Sequence, residues 1–429
     1  MSMGSERESH AAPDPGHRDP GSDTISVAAL AAYAARDLGG PEGRLSVAVG
    51  RATGSSLPEL GFPLGAMPAG IPDSALDHIR RLRPSHLRAD LRLGTEGWQT
   101  NIVAALALAD RVGCPLELAV GWEHDLDLGQ VRRLADEIPN AGQVRRVLVL
   151  GSGTTIAPLA DQQLFRDVFM ARHPGVDILA GAGGDFVVLN RGWDNVGDVD
   201  GVSFAIQPQV HASDDLSIIE NLDGQAHAVR TAIAKIGSRR VVVSPVSLGP
   251  GGPADPPDPR HRSLFGACWT LGSIASLARA GAQSATYYGL VGAAGLMDCD
   301  QDAGADAPRT GGLVFPSYHV FADLAEFRSG RLLATIATGD LPRTVLGVES
   351  DHGRGVLVGN LSAQVVQLTM SGLGDASWVL RLLDSATAQV ACRDPERFRA
   401  EPSEVVPVGD VFATELGPFA VATFIRRTG

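Results

Sequence analysis

Cysteine is scarce in this chain of 429 residues. Its four cysteines, at positions 114, 268, 299 and 392, lie far apart, and no two of them form a CxxC pair. A structural zinc site or a disulfide framework uses grouped or regularly spaced thiols, so the sequence disfavours both. The pattern predicts reduced thiols and a cytoplasmic location.

Long apolar runs and excess positive charge are also lacking. No apolar stretch approaches the roughly 20 residues that span a bilayer, and the polar N-terminus lacks the apolar core of a signal peptide. The formal net charge is -13, and no block of Lys and Arg occurs. These features disfavour nucleic-acid and membrane partners. Residues 1–24 are predicted to form a disordered tail.

Common cofactor and metal motifs are missing as well. The segment after residues 45–50 reads RATGSS, which does not match the G-x-G-x-x-G of a dinucleotide-binding fold. No H-x-H or H-E-x-x-H pair of zinc ligands occurs. We therefore predict neither a cofactor nor a metal.

A regular alternation of strand-like and helix-like segments dominates what the sequence does contain. Such alternation with short connections is typical of a parallel sheet. Eight repeats over about 280 residues predict a (β/α)8 TIM barrel, here spanning residues 25–329. The predicted strands are 45–49, 86–93, 116–122, 146–150, 177–182, 202–210, 240–246 and 285–290.

Beyond residue 330 the pattern changes to short β-type runs separated by turn residues. The runs are 344–349, 355–361, 365–370, 379–383, 404–408 and 420–425. Regularly spaced short strands without long helices predict an antiparallel β-sandwich over residues 330–429.

The strand predicted at 202–210 carries polar residues toward the barrel mouth, where such folds place their active sites. Gln207, Gln209 and His211 follow each other at a spacing of two, which puts them on one face of a strand. Amide and imidazole groups are costly to bury, so this face is expected to line a wet pocket. His211 is therefore predicted to be a catalytic base. One of Asp214 and Asp215 would orient its ring, and the other would cap the next helix.

Two other strands deliver carboxylates to the mouth. Asp90 shares a face with Arg88 and Arg92, and either catalysis or a structural ion network in the barrel interior accounts for these charges. Glu123 follows the strand at 116–122 and is predicted to be a general acid or base. The predicted substrate-binding residues are Arg92, Trp122, Asn190, Gln207, Gln209, Asp214, Ser244, Tyr287 and Tyr288.

The ends of strands four and seven argue against ordinary glycosidase chemistry. Barrels of the largest glycosidase clan resemble this chain, and they carry a glutamate at each of these two ends. Here the ends read GSGT at residues 151–154 and SPVS at residues 244–247. The pair of carboxyl groups that glycoside hydrolysis needs is therefore missing from its usual places.

Several runs in the second half of the barrel resemble the D-apionate lactonase family. They are QPQVHA at 207–212 with Asp214 and Asp215, VVVSPV at 241–246, SLFGA at 263–267, WTLGS at 269–273, TYY at 286–288 and FPSYHV at 315–320. The resemblance implies a glycosidase-like fold, a small sugar or sugar lactone as the binding partner, and hydrolysis of D-apionolactone. Members of this family also carry a β-rich domain before the barrel, where this sequence predicts only the tail and one helix.

Position along the strands, rather than the resemblance, suggests roles for such a reaction. His211 would activate water, and Arg92, or Gln209 together with Tyr288, would stabilise the oxyanion. Glu123 or Asp90 would bind hydroxyl groups or protonate the leaving alkoxide.

Three alternatives stay open. A glycoside hydrolase with unusual carboxylates requires a second carboxyl group opposite Asp90 or Glu123. A non-catalytic sugar-binding barrel requires aromatic and amide side chains without a perturbed acid or base. A metal-dependent hydrolase requires His211 and one of these carboxylates within ligand distance of each other.

Overall fold

A closed barrel of eight parallel strands forms the centre of the molecule. The computed structural model describes residues 43–65, 71, 73–122, 125–151, 155–249, 257–292, 294–298, 313–374, 377–401, 404–406 and 411–427. After a first strand, β1 (Gly43–Ser56), the barrel strands are β2 (Glu59–Pro63), β3 (His86–Leu93), β4 (Leu116–Trp122), β5 (Val144–Gly151), β6 (Asp177–Asp185), β7 (Gly201–Ile206), β8 (Arg240–Val246) and β9 (Ser284–Tyr287).

Helices surround the barrel and cover the outward face of its strands. Outward side chains such as Leu87, Val120 and Phe204 are fully buried beneath them. The (β/α)8 fold predicted from the alternation of segments is therefore confirmed. The helices are α1 (Asp73–Arg81), α2 (Trp98–Val112), α3 (Leu128–Asp136), α4 (Leu159–Arg172), α5 (Phe186–Arg191), α6 (Asp215–Ile236), α7 (Leu264–Ala280) and α8 (Pro316–Ala325).

A nine-stranded sheet follows the barrel, and all but one of its strand pairs are antiparallel. In order across the sheet, its strands are β17 (Glu404–Val406), β16 (Trp378–Leu383), β19 (Val421–Arg427), β14 (Gly353–Asn360), β13 (Arg343–Ser350), β12 (Arg331–Gly339), β1, β15 (Val366–Ser371) and β18 (Val411–Leu416). The rings of Phe412 and Phe424 lie 5.6 Å apart although their strands are distant in this order. The sheet therefore curls over itself into the predicted sandwich. The short helices α9 (Ala388–Arg393) and α10 (Pro395–Ala400) follow β16.

Helix α7 packs between the barrel and the sheet, which explains why nearly all of its residues are buried. A Cβ atom on Gly359 of β14 would lie 2.6 Å from Sγ of Cys268, so the glycine permits the sheet to approach the helix closely. A helix that is apolar on all sides needs such cover on all sides.

The prediction that residues 45–49 form the first barrel strand is wrong. These residues belong to β1, which pairs with β12 and β15 of the sandwich. The first half of β1 alternates buried and exposed side chains, as expected for a sheet with one solvated face. The first barrel strand is instead β2, which has only five residues. Two of these are glycine and proline, which are untypical of a strand interior, so the sequence pattern did not indicate a strand there.

Two further boundaries differ from the prediction. The strand predicted at 202–210 ends at Ile206, and a turn follows; the strand predicted at 285–290 is β9, followed by β10 (Gly289–Val291), which pairs with β11 (Gly295–Met297). The predicted tail and the helix expected near residues 26–38 lie outside the described residues. The domain limits 1–24, 25–329 and 330–429 stay predictions. No helix in the described part of the chain has the length and apolar composition needed to cross a membrane.

Candidate active site at the mouth of the barrel

Strand β3 lines the barrel interior from its floor to its mouth. His86 and Arg88 are buried, whereas the Asp90 side chain, nearer the C-terminal end, is 58% exposed. Arg88 holds this carboxylate through Nη2, 2.6 Å from Oδ1, and through Nε, 3.1 Å from the same oxygen. The predicted common face of these residues is confirmed. It presents a carboxylate to solvent at the end of the barrel where these folds bind substrates.

The same arginine also reaches a buried carboxylate below Asp90. Nη1 of Arg88 donates to Ser244 Oγ at 2.8 Å, and this hydroxyl donates to Oε1 of Glu117. Thr286 Oγ1 also donates to Oε1 of Glu117, at 3.0 Å. Burial would raise the pKa of Glu117, but the neighbouring His86 and the arginines hold this pKa below its usual value.

The barrel floor is a structural ion network. His86 Nε2 lies 2.8 Å from Thr286 Oγ1, and burial lowers the pKa of His86 to about 4. Arg146 pairs with Glu59, and its Nη1 lies 3.6 Å from Oε2 of Glu117. The structural ion network predicted for the charges of β3 is therefore present at its lower end. Asp90 and Arg92 face the open end, where a catalytic role stays a prediction.

A second carboxyl group lies at the end of β6. Asp185 is partly buried, and its Oδ2 accepts a hydrogen bond of 3.4 Å from Nε2 of Gln207, which follows β7. Burial raises the pKa of Asp185, and the bond from Gln207 offsets part of this effect. Asp185 was not singled out from the sequence, although its place at the end of a barrel strand was a usable signal.

Comparisons with known proteins agree with this architecture. A family model described as "D-apionate lactonase, TIM barrel domain" matches residues 64–329. This chain belongs to that family. Within it, the chain is 25% identical over 285 residues to the D-apionate lactonase of Brucella anthropi. The match covers 59% of this chain but 46% of the relative, so the chain spans about half the length of that protein.

Solved glycoside hydrolases share the fold of this D-apionate lactonase family member. A glucosidase from Croceicoccus marinus is 12% identical with a TM-score of 0.59, covering 91% of this chain and 100% of its own. A family 30 endoxylanase from Clostridium papyrosolvens is 13% identical with a TM-score of 0.58, covering 90% and 100%. At such identities these two structures support the barrel-and-sandwich fold alone.

The structure does not bring Gln207, Gln209 and His211 onto one strand face, because β7 ends at Ile206 and the chain turns. Nε2 of Gln209 instead donates to Leu248 O at 2.7 Å and to Oδ2 of Asp258 at 2.6 Å. His211 is an exposed residue beyond this turn. Its predicted role as the base stays a prediction.

Arg260 organises the polar run that contains His211. It pairs with Asp258, with Nη2 2.6 Å from Oδ2, and its Nη1 donates to Ser213 O and to Oδ1 of Asp215, each at 2.8 Å. Asp214 Oδ1 accepts from the backbone N–H of Ser217 at 2.9 Å, so the predicted helix cap is confirmed. Nothing in the sequence marked Arg260 as the residue that joins the loops after β7 and β8.

The three aromatic residues predicted to bind substrate pack elsewhere. Trp122 stacks on Phe165 of α4, with ring centroids 6.1 Å apart. The hydroxyl groups of Tyr287 and Tyr288 lie 2.8 and 2.9 Å from hydroxyl groups of α7. All three side chains are buried, so the structure does not bring them to the open mouth of the barrel. Trp122 and Tyr287 lie on the strand faces that point to the helices, and Tyr288 follows β9 with a positive φ of 51°.

The remaining predicted residues have mixed locations. Ser244 lies in the buried network, whereas Arg92 is exposed at the mouth end of β3. Asn190 Oδ1 accepts from Nε1 of Trp193 at 3.2 Å in an exposed segment. Glu123 lies outside the described residues. Among the residues described, no three of His, Cys, Asp or Glu form a group able to hold a metal ion.

Proposed function

We propose that this protein is a carbohydrate-active hydrolase that opens a small sugar lactone at the barrel mouth. The observation that carries the proposal is the Asp90 carboxylate, fixed by Arg88 and open to solvent at the C-terminal end of β3. A carboxylate held in one geometry by a guanidinium is preorganised to accept a proton from water. The relative named D-apionate lactonase suggests the substrate class.

In this proposal Asp90 is the general base, and Arg92 stabilises the oxyanion that forms when water attacks the lactone carbonyl. Both are exposed and share one face of β3. A sugar lactone offers hydroxyl groups to the same polar rim. The unpaired thiols of Cys114, Cys268 and Cys392 support the predicted cytoplasmic location.

Glycoside hydrolysis is the second candidate, and Asp185 favours it. This reaction needs two carboxyl groups facing one pocket. Asp90 lies in the C-terminal half of β3, and Asp185 lies at the C-terminal end of β6 in the same barrel. The sequence has no glutamate at the ends of β5 and β8, which disfavours glycoside hydrolysis and favours lactone hydrolysis.

A substrate screen with one matched control tests the proposal. Wild type is assayed against aldonolactones and aryl glycosides. Asp90→Asn is expected to lower kcat/KM on the preferred substrate by about 100-fold or more. The control Asp77→Asn removes a carboxylate that is 64% exposed and also paired with an arginine, Arg80, but lies on α1. Full activity of Asp90→Asn would refute the role of Asp90, and glycosidase activity without lactonase activity would select the second candidate.

A further inference from the structure

The side chain of Asp185 faces the barrel lumen. In the pairing of β6 with β7, Gly181 lies beside Ser203 and Asp185 lies beside Ala205. A Cβ atom on Gly181 would lie 3.1 Å from Ser203 Oγ and would collide with Leu150, which packs on the lumen core. Ala205 is two residues beyond Ser203 and shares its face. The register shifts between Gly181 and Asp185, but Asp185 lies directly beside Ala205. Residues paired across parallel strands project from the same face, which here is the upper rim of the lumen.

This carboxyl group is not used to stabilise the local backbone. Asp185 occupies the N-cap position of α5, where an aspartate ordinarily accepts a backbone hydrogen bond, yet its side chain makes no such bond. The next residue, Phe186, packs outward against Phe204, with ring centroids 5.1 Å apart. The packing of Phe186 thus holds this segment in place, and the carboxyl group of Asp185 can contact a ligand at the mouth.

The amide that contacts Asp185 is held on a fixed turn. Nδ2 of Asn221 donates to Pro208 O at 3.0 Å on the C-terminal side of Gln207. On the N-terminal side of Gln207, the backbone N–H of Ser247 donates to Ile206 O at 3.0 Å. A donor whose backbone is anchored at both flanks holds its partner in one orientation, as catalytic groups require.

The two carboxyl groups of the mouth differ in environment. Asp90 is ion-paired with Arg88 and exposed, whereas Asp185 is partly buried, with an uncharged amide as its hydrogen-bond donor. Burial raises the pKa of Asp185, so this group keeps its proton to a higher pH than an ordinary aspartate. Carboxyl groups in contrasting environments divide into an acid and a base.

We propose that Asp185 is the general acid of this site, a role that rests on the proposed lactone hydrolysis. Water adds to the carbonyl carbon while Asp90 accepts its proton. The bond from that carbon to the ring oxygen then breaks, and the Asp185 carboxyl group donates its proton to this oxygen. The products are the hydroxy acid, protonated Asp90 and ionised Asp185, and proton exchange with solvent restores the starting state.

Comparing a lactone with its thiolactone tests this role. A ring oxygen leaves as an alkoxide and needs a proton, whereas a thiolate, with a thiol pKa near 8.5, leaves without one. Asp185→Asn is therefore expected to lower kcat on the lactone by about 100-fold or more, with a much smaller loss on the thiolactone of the same ring size. Asp194→Asn, an exposed aspartate of the same connection, is the matched control and is expected to leave both rates unchanged.

A second variant covers the case in which Asp185→Asn fails to fold. Gln207→Leu keeps the carboxyl group but removes its donor, so a smaller loss confined to the lactone is expected. Equal losses on lactone and thiolactone, or none on the lactone, would overturn the role of Asp185 while leaving the lactonase proposal intact. A wild type inactive on both substrates would refute the lactonase proposal and this role with it.

Discussion

The ion cluster joining the barrel to the sandwich supports a quantitative stability prediction. Asp323 of α8 is 3% exposed. It accepts hydrogen bonds from Arg381 of β16, from Nη1 of Arg399 at 2.6 Å and from Thr423 Oγ1 at 2.6 Å. Breaking a buried ion pair from one side costs about 3–5 kcal/mol, because the other charge stays in a poorly solvated site. Glu326 also contacts Arg399, at 2.7 Å, so we expect Asp323→Asn to cost about 3 kcal/mol, the lower end of that range.

Urea unfolding, followed by tryptophan fluorescence and circular dichroism, measures this loss. The control is Glu401→Gln, which removes one partner of the exposed pair between Arg397 and Glu401, whose side chains are 61% and 68% exposed. An exposed pair four residues apart on a helix contributes about 0.3–0.5 kcal/mol. A loss for Asp323→Asn no larger than that of the control would refute the argument from burial.

The same carboxylate predicts a dependence on pH. Burial would raise the pKa of Asp323, but Arg381 and Arg399 hold it below its usual value. A group with a depressed folded-state pKa contributes stability that is complete above its unfolded pKa and is lost as the pH falls through the folded value. The stability difference between wild type and Asp323→Asn should therefore be full above about pH 4 and shrink below it. A difference that grew on acidification would contradict this assignment.

Three further outcomes follow from the barrel itself. Glu117→Gln is expected to lower the free energy of unfolding, measured in urea, by about 3–5 kcal/mol, because Arg88 and Arg146 would lose a fully buried carboxylate. A loss below about 1 kcal/mol would contradict the central place of Glu117 in the network. Arg260→Met is expected to speed amide hydrogen exchange in residues 207–215 but not in β3, and unchanged exchange would show that the loop is held otherwise. His211→Ala is expected to lower kcat/KM by less than about tenfold, and a loss of 100-fold or more would support the sequence prediction of a histidine base instead.

The sequence predicted most reliably where one strand face had a strict chemical pattern. The period-two charges of β3 identified its inward residues, and that prediction extended from the floor to the mouth. The same reasoning failed after Ile206, because polar residues keep a spacing of two in the sequence although the strand ends there. Pro208, at the centre of the turn, was the available warning, since proline cannot donate a hydrogen bond within a central strand.

The sequence alone could not predict which distant segments pair with each other in the folded protein. The pairing of β1 with β12 joins segments almost 300 residues apart, and nothing local distinguishes it from a barrel strand except its alternating exposure. Likewise, Arg260 joins two loops through a carboxylate two residues before it and another 45 residues away. Such contacts depend on tertiary placement, which a single sequence does not reveal.

Depth along the barrel axis separates the structural carboxylate from the one proposed to be catalytic. Arg88 binds Asp90 directly and is linked to Glu117 through the hydroxyl group of Ser244. Glu117 is fully buried, whereas the Asp90 side chain is mostly exposed. A charge that has already lost its water must keep its partners, so the lower carboxylate has no freedom to exchange a proton with a substrate. The exposed carboxylate retains that freedom while its orientation is fixed from below. The floor network therefore serves the proposed site by holding Arg88, and a substitution at the floor should lower activity only through the position of Asp90.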